Sequence, residues 1–454
     1  MIAWSISSFR LPCKSGCDWK QMEGARYFMK SLYELRFFLI LWLTQAFSSL
    51  GSAMTKFALV LWLYQDSGSA LKTAMLTVCS YAPYVLLSIF AGVISDRWNK
   101  KAVMLVCDSV AAAGTLVIVL LLQLHLLAVW HLYLLNACNG LMNAVQSPAS
   151  DVATTLLTPK KYYQKTSGLR SFSNSLVSML TPVLATAFFA FGGLKAVIAF
   201  DLSTFAVAFL VLLLWIPIPE VPHTIKQTES CLQAAKAGLV YLRSNRGIFW
   251  LILFLSSINL IASMHQAALP ARILPQQGET ALGIVNSCVG FATLLGSLLA
   301  VFCPKPKNRA TAICNCLLVA MSTENFLLAF GRNPVIWCIG SVLGWGLIPL
   351  MRANYDVLFR SSVPKEMQGR VYAVRNTLQF FTIPVGYFLG GFLVDDVLEP
   401  WMAAVQSELL RQLFGTGLGS GAAVLFAGLG VAGVAVCLLF RNIASLRALD
   451  SESK

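Results

Sequence analysis

Long apolar runs dominate this chain and constrain its fold more than any other feature. Runs of about 20 residues, bounded by charges or by Pro and Gly turns, recur along the sequence, and a helix of that length crosses a bilayer. The chain is 57% hydrophobic and only 12% charged, whereas soluble domains use roughly 45–50% apolar residues. A soluble fold would have to hide several runs longer than ~18 residues. The sequence therefore indicates an integral membrane protein.

The runs predict twelve transmembrane helices. They cover approximately residues 37–63, 72–95, 102–124, 129–155, 168–191, 195–217, 247–269, 280–303, 309–330, 333–358, 371–394 and 420–441. The long break at residues 218–246 separates six runs from six. We therefore predict an all-α integral membrane protein with two pseudo-symmetric six-helix halves.

The predicted halves are residues 33–217 and 247–442, with a cytoplasmic linker at 218–246 and tails at 1–32 and 443–454. The tail at 1–32 is either a cytoplasmic segment or an over-extended start. Within the linker, residues 231–244 have the spacing of an amphipathic helix on the inner leaflet, or of an ordinary linker helix.

The basic residues predict the orientation in the membrane. Most of the 34 Lys and Arg residues lie in segments that share a side with the N-terminus. The other side holds Lys72, Lys195, Arg272, Arg332 and Arg411. Because cytoplasmic loops are enriched in Lys and Arg, we expect a multi-pass protein of the cytoplasmic (plasma) membrane with both termini in the cytoplasm. The net charge of +14 is spread over small clusters and indicates no nucleic-acid partner.

Two ten-residue stretches indicate an internal duplication. DVATTLLTPK occupies residues 151–160, and DVLFRSSVPK occupies residues 356–365. Each reads D-V, six residues, then P-K, and each lies near the end of the fourth run of its half. Parallel repeats of a transporter place matching segments at such equivalent positions.

The loop GVISDRWNKK, residues 92–101, concentrates one acid and three bases between the second and third runs. Its glycine allows neighbouring helices to approach closely. The loop resembles the signature G-x-x-x-D-R-x-x-R/K-R/K of the major facilitator superfamily. The matching residues are Gly92, Asp96, Arg97, Lys100 and Lys101.

This resemblance implies a mechanical role for the loop. In that family the loop acid faces the cytoplasmic N-terminus of the eleventh helix and holds the two halves together while the cavity opens outward. A carboxylate at a helix N-terminus gains about 0.3–2 kcal/mol, which biases two states and is still broken in each cycle. We call the implied set the predicted latch: Gly92, Asp96, Arg97, Lys100, Lys101, Gly369 and Arg370. Alternatively, its charges only mark topology.

Residues 363–402 resemble a narrower branch of that family, which contains macrolide efflux proteins and the enterobactin exporter. The shared patterns are V-P-x-E-x-x-G-R, P-x-G-x-x-x-G-G and D-x-x-x-E-P. They are carried by Val363, Pro364, Glu366, Gly369, Arg370, Pro384, Gly386, Gly390, Gly391, Asp395, Glu399 and Pro400. The resemblance implies export without fixing the compound.

Two departures from that branch weigh against proton antiport, and neither weighs against transport. The fifth-helix exporter pattern G-P-x-x-G-G reads TPVLAT at residues 181–186. The fourth run also lacks the intramembrane arginine of many drug:proton antiporters.

Charged residues inside a span cost at least ~2.5–3.5 kcal/mol on insertion scales, so each one needs a reason. Lys56 either faces a water-filled cavity or an anionic substrate group, or it snorkels to the interface or pairs internally. Glu324 and Asp201 are either proton carriers or carboxylates at the outer rim. Arg352 and Asp356, at positions i and i+4 of one helix face, are expected to pair.

Uncharged polar residues add candidates for a substrate cavity. The full candidate set is Gln45, Lys56, Asn136, Asn139, Asn143, Asn259 and His265. They come from the first, fourth and seventh runs, which line the transport path in the resembled family. Alternatively, such amides only bond helices to one another.

Together these features predict a secondary-active transporter that works by alternating access. We expect it to export amphipathic small molecules, macrolide-like drugs or siderophore-like compounds, by proton antiport. The alternatives are metabolite uptake or facilitated exchange, and a non-transporting membrane sensor on the same fold. The expected partners are a small-molecule substrate, protons and membrane lipid, and we expect a monomer.

No Walker-type phosphate loop is present, and the four histidines form no pattern typical of a metal site. We therefore expect neither enzymatic activity nor a cofactor or metal.

Overall fold

The computed structural model describes residues 33–219, 239–303, 306–363 and 368–446, and for some helical residues, 88–97 and 368–370 among them, the backbone alone. The described residues form helices and connecting turns and contain no strand. The predicted amphipathic helix at 231–244 falls mainly outside them. Its last part, residues 239–244, is helical.

The first four helices run back and forth through the bundle. They are α1, Arg36–Ser67; α2, Ala70–Arg97; α3, Lys100–Gln123; and α4, Val129–Leu156. Gly68 turns the chain between α1 and α2 with φ 63°, a conformation that glycine adopts without strain. Ser69 and Asn99 cap α2 and α3 by accepting hydrogen bonds from backbone N–H groups. We call the two ends of the bundle the Gly68 end and the Asn99 end.

The next four helices form two pairs, which we call the fused pairs; within each pair the two helices follow each other directly, and only glycines with non-helical backbone angles separate them. Tyr163–Trp215 has 53 residues and Arg246–Phe302 has 57, so a straight helix would measure roughly 80 Å, well beyond a hydrocarbon core of about 30 Å. Gly193 and Gly278, with φ of 62° and 73°, turn the chain back at the Gly68 end. The arms are α5, residues 163–191; α6, 194–215; α7, 246–277; and α8, 279–302.

The last four helices complete the second half. They are α9, Arg309–Phe330; α10, made of Pro334–Gly346 and Ile348–Ser362; α11, made of Gln368–Phe380, Thr382–Phe392, the π-helical turn Leu393–Leu398 and Glu399–Ala404; and α12, Ser420–Arg441. A short helix, Glu408–Phe414, precedes α12.

Nine helices of the described residues are long and apolar enough to cross a membrane. Two of the nine are the fused pairs, and the polar helix α4 is not among them. With both arms of each pair and α4 counted, the predicted twelve segments are present, six on each side of residues 220–238.

Small residues allow the two halves to pack closely where α5 meets α8. A Cβ atom on Gly290 of α8 would lie 2.5 Å from the Met179 Cα of α5, and one on Gly283 would lie 2.8 Å from the Thr186 side chain. Apolar surface drives little association inside a bilayer, so such close backbone approach is the main source of attraction between transmembrane helices.

Candidate functional site

A cavity of about 340 Å³ lies inside the C-terminal half, among α7, α9, α10 and α11. We call it the C-terminal cavity. Apolar side chains form most of its wall, and the acidic and basic residues of its lining are His265, Glu324, Arg352, Asp356 and Arg375. This concentration of ionisable groups in a membrane-spanning bundle makes the cavity the first candidate for function.

A buried pair of ionisable groups lies at one end of the C-terminal cavity. His265 of α7 is 3% exposed and Glu324 of α9 is 5% exposed. The His265 Nε2 atom lies 3.2 Å from the Glu324 Oε1 atom, at ion-pair distance but without hydrogen-bond geometry. The other ring nitrogen, Nδ1, is 2.9 Å from the Asn325 Oδ1 atom.

The Glu324 carboxylate also accepts a hydrogen bond from the Trp345 indole Nε1 of α10, at 2.7 Å. The stretch GSVLG, Gly340 to Gly344, brings α10 this close to α9. A Cβ atom on Gly344 would lie 2.9 Å from the Glu324 Cβ, and one on Gly340 would lie 3.0 Å from the Leu327 Cβ. A glycine pair at this spacing is a known helix-packing motif, and it is the sequence signal that could have revealed a close neighbour of Glu324.

Arg352 and Asp356 do not form the pair expected from their spacing. Both residues are exposed, and the ion pairs recorded among the described residues include neither. Both line the C-terminal cavity, which is wide enough to hydrate each charge separately. Asp356 lies eleven residues after Trp345, about 16 Å nearer the Asn99 end at 1.5 Å per residue.

A second cavity, of about 310 Å³, lies between the two halves, and we call it the interface cavity. Its lining comes from α1, α2 and α5 of one half and from α7, α8 and α11 of the other. Lys56 is exposed and lines this cavity. It therefore has access to the cavity rather than being enclosed by packed side chains.

Asp201 of α6 lies in a different environment from Glu324, although both are 5% exposed. Its Oδ1 atom accepts a hydrogen bond from the Ser52 hydroxyl at 3.0 Å, and its Oδ2 atom accepts one from the Thr55 hydroxyl at 2.8 Å. Gly51 packs directly against it. Asp201 thus joins α6 to α1 and lines neither of the two cavities described above.

The predicted cavity residues do not form one site. Asn259 lines the C-terminal cavity, whereas Gln45 lines a third cavity of about 150 Å³ inside the N-terminal half. Asn136 is buried and donates to a carbonyl of its own helix. Asn139 is half-buried and Asn143 is exposed, and neither lines any of these three cavities.

Most of the predicted latch falls on residues whose side chains lie outside the described part of the structure. Gly92, Asp96 and Arg97 belong to α2, and Gly369 and Arg370 belong to the first turn of α11. The contact between the Asp96 carboxylate and α11 therefore stays a prediction.

The two lysines of the predicted latch are described, and they bind within their own half. The Lys101 Nζ atom donates to the carbonyl oxygens of Leu213 and Ile216 at 3.0 Å each. Lys100 donates to the Trp98 carbonyl. An ammonium group at the C-terminal end of α6 meets the negative end of the helix dipole, so Lys101 fastens the α2–α3 loop to α6.

Asp395 of α11 joins the two halves at the Gly68 end. Its carboxylate accepts hydrogen bonds from the Ser69 hydroxyl at 2.6 Å and from the backbone N–H groups of Ala70 and Leu71 at 3.1 and 2.8 Å. A Cβ on Gly391 would lie 2.6 Å from the Leu71 Cα. We call these contacts the Asp395 joint. The sequence pattern had marked Asp395 only as part of a family resemblance.

Two further groups fix the Gly68 end of the C-terminal half. The Glu399 carboxylate accepts from the N–H groups of Gly419 and Ala422 at the start of α12. Arg272 was expected outside the membrane core, and it is only 1% exposed. Its guanidinium donates to the carbonyls of Leu328, Ala329, Gly331 and Gly419.

Comparisons with known proteins agree with this architecture. A family model described as Major Facilitator Superfamily matches residues 41–387. The solved structure of the nucleoside transporter NupG superposes with a TM-score of 0.63 at 12% identity and covers 90% of this chain and 99% of its own. A bacterial homologue of the iron transporter ferroportin in an inward-facing state gives a TM-score of 0.62 at 15% identity, over 90% and 99% of the two chains.

Among relatives, macrolide efflux protein A of Streptococcus pyogenes is 23% identical over 371 residues, which is 80% of this chain and 91% of that protein. Enterobactin exporter EntS of Citrobacter koseri is 24% identical over 304 residues, or 65% and 70%. Multidrug efflux pump Tap of Mycolicibacterium fortuitum is 23% identical over 359 residues, or 76% and 86%. Since the family model covers well over half of its residues, this chain belongs to the Major Facilitator Superfamily.

Proposed function

We propose that this transporter exports amphipathic small molecules by proton antiport, with the His265–Glu324 pair as the proton-carrying site. The observation that carries the proposal is the buried ion-pair contact of 3.2 Å at the end of the C-terminal cavity. Export as the direction is supported by the three efflux relatives.

The pair is suited to coupling because its net charge changes with each proton. An imidazolium beside a carboxylate is neutral overall, and the loss or gain of one proton leaves a net charge. Because both side chains are buried, an uncompensated charge on either of them costs several kcal/mol. A change in protonation therefore favours a conformation that hydrates the pair or brings a charge of opposite sign to it.

Of the other lining residues of the C-terminal cavity, Asp356 can accept the proton. It lies nearer the Asn99 end than Glu324, and the arginines Arg352 and Arg375 keep their charge and do not relay protons. A hydrated cavity between Asp356 and Glu324 would allow proton exchange from that side. If the charge pattern sets the orientation, this side faces the cytoplasm.

Alternating access requires contacts between the halves at each end that form in turn. The Asp395 joint supplies such a contact at the Gly68 end, through α11 and the N-terminus of α2. The predicted latch would supply the other at the Asn99 end, through Asp96 of α2 and the N-terminus of α11. At the Gly68 end α11 supplies the carboxylate and α2 its N-terminus. At the Asn99 end the two helices would have the opposite roles.

The coupling is tested with purified protein in proteoliposomes under an imposed pH gradient, with macrolides and enterobactin as substrates and a pH-sensitive dye in the lumen. We expect the rate of substrate efflux to rise with the pH gradient, and we expect the dye to report proton movement in the opposite direction to the substrate. Glu324→Gln should lower gradient-driven efflux at least about 100-fold while substrate-for-substrate exchange, which needs no net proton movement, continues.

The matched control is Asp201→Asn, which alters a carboxylate of equal burial that lines neither main cavity. We expect it to keep the gradient dependence. Equal losses in the two variants would contradict the assignment of Glu324. Flux that ignores the gradient would favour facilitated exchange or uptake, and the absence of any flux would favour a sensor.

A further inference from the structure

We propose that Lys56 binds the charged end of the substrate in the interface cavity and thereby selects organic anions. This inference rests on the proposed export function and narrows its substrate class to amphipathic molecules with a carboxylate, sulfonate or similar group. It is carried by the surroundings of Lys56 and Thr181.

Lys56 brings a cation into the membrane-spanning part of the bundle, and among the described residues no carboxylate lies within 4.0 Å of its ammonium. It lies eleven residues before the end of α1 at Ser67, about 16 Å from it at 1.5 Å per residue. The ion pairs and hydrogen bonds of the described residues include none from its ammonium. Such a charge is costly in a membrane unless water or a ligand compensates it.

Asp201 is the nearby acid on α6, and it does not neutralise Lys56 by contact. Both of its oxygens accept hydroxyl hydrogen bonds, from Ser52 and Thr55, and no pair within 4.0 Å joins it to the ammonium. The carboxylate is turned toward the packing of α1 on α6, while the lysine faces the cavity. The positive charge is therefore available to a ligand.

Thr181 provides a second, independent sign of a ligand. It lines the same cavity, is only 8% exposed, and its hydroxyl oxygen is buried with no hydrogen-bond partner. A buried hydroxyl without a partner costs about 1–3 kcal/mol. Thr181 also occupies the first position of TPVLAT, where the exporter pattern of the resembled branch has glycine.

The rest of the lining suits the apolar body of an organic anion better than a small inorganic ion. Phe57, Val60, Leu269 and Leu282 contribute hydrocarbon or ring surface. Asn286 also lines the cavity, and its amide nitrogen already donates to the Leu282 carbonyl. A volume of about 310 Å³ falls in the range of small-molecule sites. The lining also contains uncharged polar side chains, those of Thr73, Thr77, Gln266 and Tyr387. With Lys56 as the one basic residue of the described lining, the cavity matches an amphipathic molecule with a single anionic end.

The test uses two fluorescent probes with the same ring system. 1-Anilinonaphthalene-8-sulfonate carries a sulfonate, and N-phenyl-1-naphthylamine lacks it. Saturable binding to the purified protein in lipid nanodiscs, corrected by empty nanodiscs, is measured for the wild type, Lys56→Gln, Lys56→Arg, Thr181→Val and the control Lys195→Gln, which alters an exposed lysine outside the cavity.

We expect Lys56→Gln to weaken sulfonate binding about tenfold or more, Thr181→Val to weaken it a few-fold, and Lys56→Arg and Lys195→Gln to retain it. Binding of the uncharged probe should change little in all variants. An equal affinity of Lys56→Gln and the wild type for the sulfonate would overturn the inference. So would displacement of the probe by inorganic sulfate at constant ionic strength, which would indicate a site for small anions.

The two experiments separate the anion site from proton-driven export. Sulfonate binding that depends on Lys56, together with no gradient-driven flux in proteoliposomes, would remove proton-driven export and leave the anion site. Gradient-driven efflux in Lys56→Gln that proceeds equally well for anionic and uncharged substrates would remove the anion site and leave proton-driven export.

Discussion

Asp201 and Glu324 are two carboxylates buried to the same extent in membrane-spanning helices, yet their surroundings differ in kind. Asp201 is held by two hydroxyl groups that do not titrate near neutral pH. Glu324 faces an imidazole and an indole at the end of a cavity. The comparison teaches that burial alone does not distinguish the two acids. Of the two, Glu324 has beside it a group that can change charge and a cavity, and the proposal that it carries protons rests on these two features.

The largest expected effect comes from removing the charged partner of Glu324. His265→Leu leaves the carboxylate buried beside apolar surface, which costs about 3–5 kcal/mol if Glu324 is ionised. We expect a marked fall in the apparent unfolding temperature in detergent micelles. The double variant with Glu324→Gln should recover most of the loss, and simple additivity of the two changes would mean that the groups are not coupled.

An intermediate effect is expected at the Asp201 cluster. Thr55→Val removes one hydroxyl donor at nearly constant volume, and a hydrogen bond to a charged group contributes about 1.5–3 kcal/mol. Thermal stability should fall while the dependence of efflux on the pH gradient stays unchanged. A shift in that dependence would show that Asp201 also takes part in coupling, and the contrast with Glu324 would break down.

The smallest expected effect concerns a third acid, Asp395, which binds across the halves. Asp395→Asn keeps one of the two accepting oxygens and loses the charge that interacts with the N-terminus of α2, worth up to ~2 kcal/mol at a partly buried site. We expect the Gly68 end to open more often, by up to about 30-fold. The rate at which a membrane-impermeant maleimide labels a cysteine introduced at Leu71, after replacement of the native cysteines, measures this opening. An unchanged rate would mean that packing alone closes that end.

Much of the fold follows from local sequence patterns. Apolar runs and turn residues are enough to predict twelve segments, because each helix in a bilayer must satisfy its own backbone hydrogen bonds. The turns at Gly193 and Gly278 lie in the gaps between predicted runs. Hydropathy did not predict that α7 continues past Pro270 and Pro275 to residue 277, because a proline usually marks the end of a helix.

Individual residues of the candidate site were predictable from the sequence, but their spatial arrangement was not. His265 and Glu324 could be selected from the sequence because ionisable groups in a span are costly. Their pairing across 59 positions depends on how α7 and α9 rotate against each other, which is decided by packing. Asn136 was predicted to line a cavity, and instead its amide donates to a carbonyl of its own helix. The sequence alone does not distinguish such an amide from one that faces a cavity.

Arg272 has a consequence for inhibitors. One guanidinium ties together four backbone carbonyls near the ends of α7, α9 and α12, so the Gly68 end of the C-terminal half has little freedom to deform helix by helix. Motion there must carry these three helices together. A blocking compound would therefore act best as a wedge between the halves, and one aimed at loosening a single C-terminal helix would have to break this network first.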